Sequence, residues 1–259
     1  IADVLGIEKI VESVWDMVQP SLKAAISEPA KLRARDPAAA AAVFTGLIQT
    51  GFAMQEYFDS RPASGAEHLM SHVWEMRGSC TVSGKEASHG FKVAIGTLTT
   101  TAVMEELLKL SKSDVEKAAA SYTPETWEER QKSIAHFVRE PSVRDRQIEI
   151  CRKKFLEGDA LAARQSAIAA KWDELRQKIE GQIIPFAKLK EMFQTAGCPT
   201  EPSDISLSIE NHRYGMRVAQ MMRNRYTVVD LLYETGLFDV MIERIIDPAG
   251  TYFSAWDKA

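Results

Sequence analysis

Residues 60–76 read SRPASGAEHLMSHVWEM and contain two histidines four positions apart, His68 and His72. In an α-helix, residues i and i+4 lie one above the other on the same face, so both imidazoles would point into a common space. Pro62 suits a first helical turn, and Gly78 is typical of the residue that ends a helix. The stretch therefore predicts a helix that presents a histidine pair.

A third histidine, His89, follows in Ser88-His89-Gly90, so three of the chain's five histidines lie close together in sequence. The small and polar residues 79–88 predict a loop, and residues 91–110 predict another long helix that starts near His89. Taken singly, each histidine is more often an ordinary core or surface residue. Taken as a set, they predict a metal or catalytic site. Catalytic zinc typically has three protein ligands, so two histidine ligands would need a third ligand from another residue.

Helical periodicity extends through the chain, whereas strand signals are almost absent. Asp36-Pro37 has the form of a helix cap followed by a first-turn proline, and this helix continues to Phe52 with Gly46 and Gly51 placed for close helix contact. The other predicted helices are residues 4–25, 124–138 with Thr123 as cap, 142–155, 159–183, 186–196, 208–222 and 228–234. The fold class is therefore all-α, with residues 1–259 as a single helical domain.

Composition restricts the classes of partner and the expected compartment. A net charge of −4 from 32 basic and 36 acidic residues argues against a nucleic-acid surface or an anionic membrane, so small molecules are the expected partners. We expect no membrane span and no signal peptide, and hence a cytoplasmic protein. The three cysteines are widely spaced, which predicts neither disulfides nor a cysteine zinc site. Neither a Gly-x-Gly-x-x-Gly loop nor a Gly-x-x-x-x-Gly-Lys-Ser/Thr loop occurs.

Residues 60–76, together with the segment His89–Leu98, closely resemble the helical domain of glycerol-1-phosphate dehydrogenases. Weaker likeness continues at residues 127–130, 172–175 and 223–232. These enzymes are part of the superfamily of iron-containing alcohol dehydrogenases, glycerol dehydrogenase and dehydroquinate synthase. The resemblance implies the all-helical C-terminal domain of that fold, with the Rossmann-like domain that binds NAD or NADP absent from this chain and expected upstream of it.

The resemblance also implies a divalent metal, with zinc as the first expectation and nickel or iron as alternatives. By position, His68 and His89 match two metal ligands, and His72 matches a catalytic histidine that contacts the substrate. The family's third ligand is an aspartate, expected several residues before Ile1, with Asp3 as the fallback.

The reaction implied is reversible hydride transfer between NAD(P)H and dihydroxyacetone phosphate, giving sn-glycerol 1-phosphate. Arg61 and Lys92 are the nearest cations for the substrate phosphate, and both could equally be structural. Glu67 would orient a histidine ligand or face water, and Gly90 would allow close backbone approach or cap a helix. Two arginines are weaker candidates: Arg223 and Arg225. This chain alone is expected to be inactive.

Two other functions stay open at this point. Sugar-phosphate cyclases of the dehydroquinate synthase type also use two histidines and a carboxylate, although the order Pro-Ala-Ser-Gly-Ala-Glu-His is more similar to the dehydrogenases. The third hypothesis is a non-catalytic helical scaffold that kept the fold and lost the cofactor-binding domain. Association into homo-oligomers is expected, without a number of subunits, because helical domains often expose an apolar face.

Overall fold

The computed structural model describes residues 1–257 and confirms the all-α class. Its helices are α1 Glu12–Ile26, α2 Pro29–Arg33, α3 Pro37–Tyr57, α4 Ala66–Arg77, α5 His89–Leu108, α6 Lys112–Ser121, α7 Trp127–Phe137, α8 Pro141–Lys154, α9 Gly158–Ala170, α10 Trp172–Glu180, α11 Phe186–Ala196, α12 Ile209–Ala219, α13 Val228–Glu234 and α14 Phe238–Ile245. Short 3-10 helices lie at Arg61–Ala63 and Pro202–Ile205. The strands β1 Thr81–Val82 and β2 Lys85–Glu86 form an antiparallel hairpin where a loop was predicted.

Several predicted helix boundaries were wrong for local reasons. The first helix starts at Glu12 rather than residue 4, because Gly6 takes a left-handed conformation (φ +69°) and the Asp3 carboxylate accepts a hydrogen bond from the amide of Ile10. Thr126, not Thr123, caps α7 in a capping box with Glu129.

The other differences are a break inside one predicted helix, a later start of α4 and three helices that were not predicted. The predicted helix 159–183 is two helices, α9 and α10, because the chain leaves helical geometry at Lys171 (φ −101°, ψ 11°). Pro62 lies in the 3-10 turn rather than in α4, which begins only at Ala66 with Gly65 as its N-cap. The short helices α2, α6 and α14 were not predicted.

The packing of α4 against α5 forms the centre of the core. Gly96 of α5 lies directly against the backbone of α4, where an added Cβ would be 2.5 Å from the carbonyl oxygen of Glu67. On the other side, Gly215 of α12 leaves room for the Trp74 ring, whose Nε1 donates to the carbonyl of Asn211 at 3.1 Å. These glycines allow α4 to be enclosed by two helices at once.

The outlying α1 and α3 pack against each other. Gly46 makes the close contact predicted for it, because an added Cβ would meet the carbonyl oxygen of Ser21 at 3.4 Å and the Cβ of Ala25 at 3.5 Å. The same prediction for Gly51 was wrong, since nothing lies within 4 Å of its Cβ position. By length and composition α3 also qualifies as a helix that could span a membrane, contrary to the expectation that no segment would do so.

His212 of α12 is a structural histidine. It is fully buried, its Nδ1 accepts from the Trp256 indole at 3.3 Å, and its Nε2 lies 2.8 Å from the hydroxyl of Thr99. Since Thr99 donates to the carbonyl of Ile95, we infer that Nε2 carries the proton and donates to Thr99. Burial lowers the pKa of His212 to about 3, because the charged ring would lose its hydration.

We predict that His212 makes the fold sensitive to acid. Below pH 6.5 the unfolded chain binds a proton that the folded chain does not, so stability falls by about 4 to 5 kcal/mol between pH 6.5 and about 3. His212→Gln removes this contribution. Urea unfolding followed by circular dichroism should show the variant less stable than wild type at pH 7, with the difference shrinking as the pH is lowered. A difference that stays constant with pH would contradict the assignment.

We also predict that Gly96→Ala lowers the free energy of unfolding by about 1–3 kcal/mol, because the methyl group would force α4 and α5 apart. Gly90→Ala on the same helix is the matched control, since its Cβ would meet no atom within 4 Å. The control should be neutral or stabilising by up to about 1 kcal/mol, as expected from helix propensity alone. Equal effects of the two substitutions in thermal unfolding would count against close packing at Gly96.

Candidate metal centre

The structure brings the three sequence-neighbouring histidines together in space. His68 and His72 lie on one face of α4, and His89 is the first residue of α5. The ring centroids are 5.3 Å apart for His68 and His89, 5.5 Å for His72 and His89, and 6.4 Å for His68 and His72. Three imidazoles therefore surround one small volume at the surface of the helical core.

Local sequence explains how His89 reaches α4. After Gly78 ends α4 in a left-handed turn (φ +59°), the β1–β2 hairpin reverses the chain toward the start of α5. The Ser88 hydroxyl then caps α5 by accepting a hydrogen bond from the amide of Phe91 at 3.3 Å. This cap places His89 in the first turn, beside the side chains of α4.

A carboxylate holds the Nδ1 atom of each ring. The Glu67 Oε1 atom is 3.0 Å from His68 Nδ1, and the two oxygens of Glu75 contact His72 Nδ1 at 3.0 Å and His89 Nδ1 at 2.8 Å. We infer that the neutral rings carry their proton on Nδ1 and leave Nε2 with a free lone pair. Metal-bound histidines are usually oriented in this way by an acceptor behind the ring, so the donor set fits a divalent metal.

Glu75 is the central charge of the cluster, and the sequence analysis missed it. Burial raises its pKa, but hydrogen bonds from His89, His72 and Lys92 outweigh burial and lower the pKa to about 2. Its position could have been predicted, because Glu75 follows His72 by three residues and so falls on the same face of α4.

Lys92 supplies the compensating positive charge. Its side chain is only 2% exposed, and its Nζ lies 3.2 Å from Glu75 and 2.9 Å from Glu86 on β2. Burial lowers the pKa of Lys92, but the two carboxylates outweigh burial and raise it, so the ammonium stays charged. Lys92 thus holds Glu75 in place between the two histidines.

Two sets of donor atoms are available in this cluster. His68 and His89 are the pair carried over from the family resemblance. Ligand atoms of His72, Glu75 and His89 all lie within 4.8 Å of one another, which is a second arrangement suited to a metal. His89 is common to both sets.

Glu67 connects this cluster to a neighbouring cleft of about 390 Å³. Besides contacting His68, its Oε1 accepts a hydrogen bond from the amide of Gly65 at 2.7 Å. Burial raises the pKa of Glu67, but hydrogen bonds from His68 and Gly65 outweigh burial, so the pKa is lowered. The sequence left open whether Glu67 orients a histidine or faces water. In the structure its carboxylate contacts the ring of His68.

Other predicted residues lie elsewhere. Arg61 lines the cleft, where its Nε pairs with Glu8 at 2.6 Å and its NH2 donates to the carbonyl of Tyr226 at 3.1 Å. Asp3 also lines the cleft, and its carboxylate accepts from the Ile10 amide.

The remaining weaker candidates differ in their surroundings. Arg225 is buried and ties two segments together by pairing with Asp59 at 2.8 Å and donating to the carbonyl of Ser64. Arg223 is exposed. Gly90 has no atom of the described chain within 4 Å of its Cβ position, so it makes no close packing contact within the protein.

The relatives found for this chain are oxidoreductases. Three of them, each named glycerol-1-phosphate dehydrogenase [NAD(P)+], come from Korarchaeum cryptofilum, Thermococcus kodakarensis and Methanosphaera stadtmanae. Their identities are 33% over 129 residues, 46% over 56 residues and 36% over 76 residues. The matches cover 46%, 22% and 29% of this chain, and 40%, 14% and 20% of the respective relative. No family model matches the chain, and no solved structure matches it.

Over part of its length the chain is therefore similar to the glycerol-1-phosphate dehydrogenases, which confirms the predicted resemblance to these enzymes. The matched part spans well under two thirds of those relatives. The helical architecture of residues 1–257 confirms the predicted all-α fold class.

Proposed function

We propose that this chain is the metal- and substrate-binding helical domain of an NAD(P)-dependent sn-glycerol-1-phosphate dehydrogenase. The reaction would interconvert dihydroxyacetone phosphate and glycerol 1-phosphate by hydride transfer. The observation that carries the proposal is the convergence of His68, His72 and His89, each held at Nδ1 by a carboxylate. The names of the relatives supply the substrate pair.

His68 and His89 are the proposed metal ligands, with a third donor from an acidic residue. A bound divalent metal, zinc in the first place and nickel or iron as alternatives, would act as a Lewis acid toward the reacting substrate oxygen. The orientation of the rings supports this assignment, because Glu67 and Glu75 leave the Nε2 atoms of both histidines free to bind.

His72 is proposed to contact the substrate hydroxyl and to carry its proton. Reduction of a ketone to an alcohol takes up one hydride and one proton, and oxidation releases the same pair. The Nε2 atom of His72 can hold that proton, while Glu75 at Nδ1 stabilises the resulting imidazolium. Glu75 is thus proposed as a positioning residue for two of the three rings.

The substrate phosphate is proposed to meet Arg61 and Lys92. Arg61 lies at the cleft beside Glu67, and its pairing with Glu8 and Tyr226 leaves further guanidinium N–H groups for an anion. Lys92 contacts Glu75, the carboxylate behind His72 and His89, but is already neutralised by two carboxylates. Arg61 is therefore the stronger of the two candidates.

The cofactor NAD or NADP is proposed to bind mainly to a nucleotide-binding domain upstream of Ile1. The substrate is proposed to be a polyol phosphate in the cytoplasm, without nucleic-acid partners. These proposals rest on the relatives, which are named NAD(P)+ dehydrogenases and are longer than the matched part of this chain.

We predict that His68→Ala and His89→Ala each weaken zinc binding by more than tenfold, because each removes one direct ligand. Glu75→Gln should weaken it by about 10- to 100-fold through loss of ring orientation. His136→Ala, an exposed histidine on α7, is the control and should bind as wild type does. Zinc affinity is measured by isothermal titration and metal content by mass spectrometry. Unchanged binding in both His68→Ala and His89→Ala would contradict the site, whereas loss in His72→Ala but not in His68→Ala would assign the alternative donor set.

We predict that His72→Gln in the full-length gene product lowers kcat by about 10²- to 10⁴-fold, the usual contribution of a general acid or base. KM for dihydroxyacetone phosphate should change far less, and the pH dependence of kcat should lose the ionisation of this group. The assay follows oxidation of NADH or NADPH. Release of inorganic phosphate without net cofactor oxidation would instead indicate a sugar-phosphate cyclase.

A further inference from the structure

Glu86 on the β1–β2 hairpin is connected to the histidine cluster through Lys92. The Lys92 Nζ atom lies 2.9 Å from Glu86 Oε1 and 3.2 Å from Glu75 Oε1. That same Glu75 oxygen is 2.8 Å from His89 Nδ1, and the other Glu75 oxygen is 3.0 Å from His72 Nδ1. A continuous series of charged contacts therefore runs from the hairpin to two rings of the cluster.

The three charged groups in this series differ in their exposure to water. The Glu86 side chain is 68% exposed and the Glu75 side chain 27%, whereas Lys92 between them is only 2% exposed. A buried ammonium has lost most of its hydration, so the carboxylates around it must stabilise its charge. Glu86 is therefore a surface residue whose charge acts on a buried partner, which distinguishes this contact from an ordinary solvated ion pair.

The base of the hairpin determines the position of Glu86. Cys80 before β1 and Ala87 after β2 are 1% and 3% exposed, and the amide of Ala87 donates to the carbonyl of Cys80 at 3.0 Å. Glu86 directly precedes this buried alanine. The tight turn is at the other end of the hairpin, where Ser83 and Gly84 have φ values of +52° and +75°. Glu86 is therefore held beside the core and not at the tip of the turn.

The charge of Glu86 affects how fully Lys92 neutralises Glu75. An ammonium between two carboxylates shares its positive charge and its N–H groups between them. Without the Glu86 charge, Lys92 would act on Glu75 alone, and Glu75 would be a weaker acceptor. The rings of His72 and His89 would then donate from Nδ1 to a weaker partner. Their Nε2 atoms would be less basic and would bind a metal less tightly.

We propose that Glu86 is a positioning residue of the histidine cluster, which acts through Lys92 to keep Glu75 a strong acceptor for the two rings. This inference rests on the proposed function, in which the cluster holds a divalent metal. The two carboxylates and the ammonium together also leave one negative charge behind the rings, which favours a bound cation. The hairpin thus contributes to metal binding through a residue that is not itself a ligand.

The contacts of Lys92 support this role over direct contact with the substrate. Lys92 lies on the Nδ1 side of His89, since both groups share the Oε1 atom of Glu75. A metal bound at Nε2 would be on the opposite side of the ring. Lys92 is therefore placed behind the ring, which agrees with the preference for Arg61 as the contact of the substrate phosphate.

The first measurement uses the metal-free chain of 259 residues, labelled with ¹⁵N at histidine, at a pH where the rings are neutral. The NMR shifts of the ring nitrogens report which nitrogen carries the proton. In wild type, His72 and His89 should carry it on Nδ1. Glu86→Gln should move His89 toward a mixture of the two tautomers, because its acceptor is weaker. His72 should change less, since it contacts the Glu75 oxygen that Lys92 does not share.

The second measurement is zinc affinity by isothermal titration. Glu86→Gln should weaken binding by about three- to tenfold, less than the roughly 10- to 100-fold expected for Glu75→Gln, because Glu86 is one contact further from the ligands.

Glu191→Gln on α11 is the matched control for both measurements. Glu191 is 67% exposed and pairs with Lys188 at 3.1 Å, but Lys188 is itself 60% exposed. The substitution removes the same charge from a similar ion pair that has no buried partner. It should leave the ring nitrogens and the zinc affinity as in wild type.

A double-mutant cycle tests the path through Lys92. In a Lys92→Met background, Glu86→Gln should lose most of its effect on the His89 ring and on zinc affinity, since the intermediate charge is gone. An undiminished effect in that background would contradict the proposal. Circular dichroism establishes that the Lys92→Met proteins are folded, and if they are not, Glu86→Gln and Glu191→Gln decide the question alone.

Two further outcomes would overturn the proposal. One is a Glu86→Gln protein whose His89 ring and zinc affinity equal those of wild type, and the other is an equal change in Glu191→Gln. Failure of the proposed function has a different signature. A wild-type chain that binds no zinc contradicts the metal site, whereas the ring measurement on the metal-free chain still decides whether Glu86 acts on His89.

Discussion

The bridging of two histidines by the Glu75 carboxylate is the interaction on which the site depends. One oxygen holds the ring of His72 on its own helix, and the other holds His89 on the next. Lys92, also on α5, contacts the same carboxylate from the interior. Because the partners come from two helices, this arrangement exists only while α4 and α5 are in close contact. Gly96 permits that contact at the backbone of Glu67, and so the geometry of the site depends on a residue that carries no side chain.

The histidines of this chain show how environment determines the use of one side-chain type. His212 is surrounded by protein, has a neutral partner at each nitrogen and is kept uncharged by burial. The rings at the start of α5 and along α4 are partly exposed, and each has a carboxylate behind it. Only the second environment both accepts a positive charge and leaves a nitrogen open to a ligand. This difference separates a structural histidine from candidate ligands without reference to any relative.

The paired helices α1 and α3 differ from the rest of the fold. Elsewhere apolar side chains are enclosed, as with Trp74 between α4 and α12, whereas on α3 the large ones face outward. The small residues of α3 allow it to lie close to α1, and Phe44 and Phe52 on its other side are each more than half exposed.

Much of this protein could be predicted from its sequence, because the relevant signals are local. The helix class, the Asp36 cap of α3, the Gly78 end of α4 and the shared face of His68 and His72 all follow from spacing within one helix. Tertiary structure decided the rest. The approach of His89 to α4 depends on the β1–β2 hairpin and on Gly96. The spacing of Glu75 from His72 places both on one face of α4, but its contacts with His89 and Lys92 on α5 exist only in the folded chain. Pairing across elements is set by packing, and the periodicity of a single segment contains no information about it.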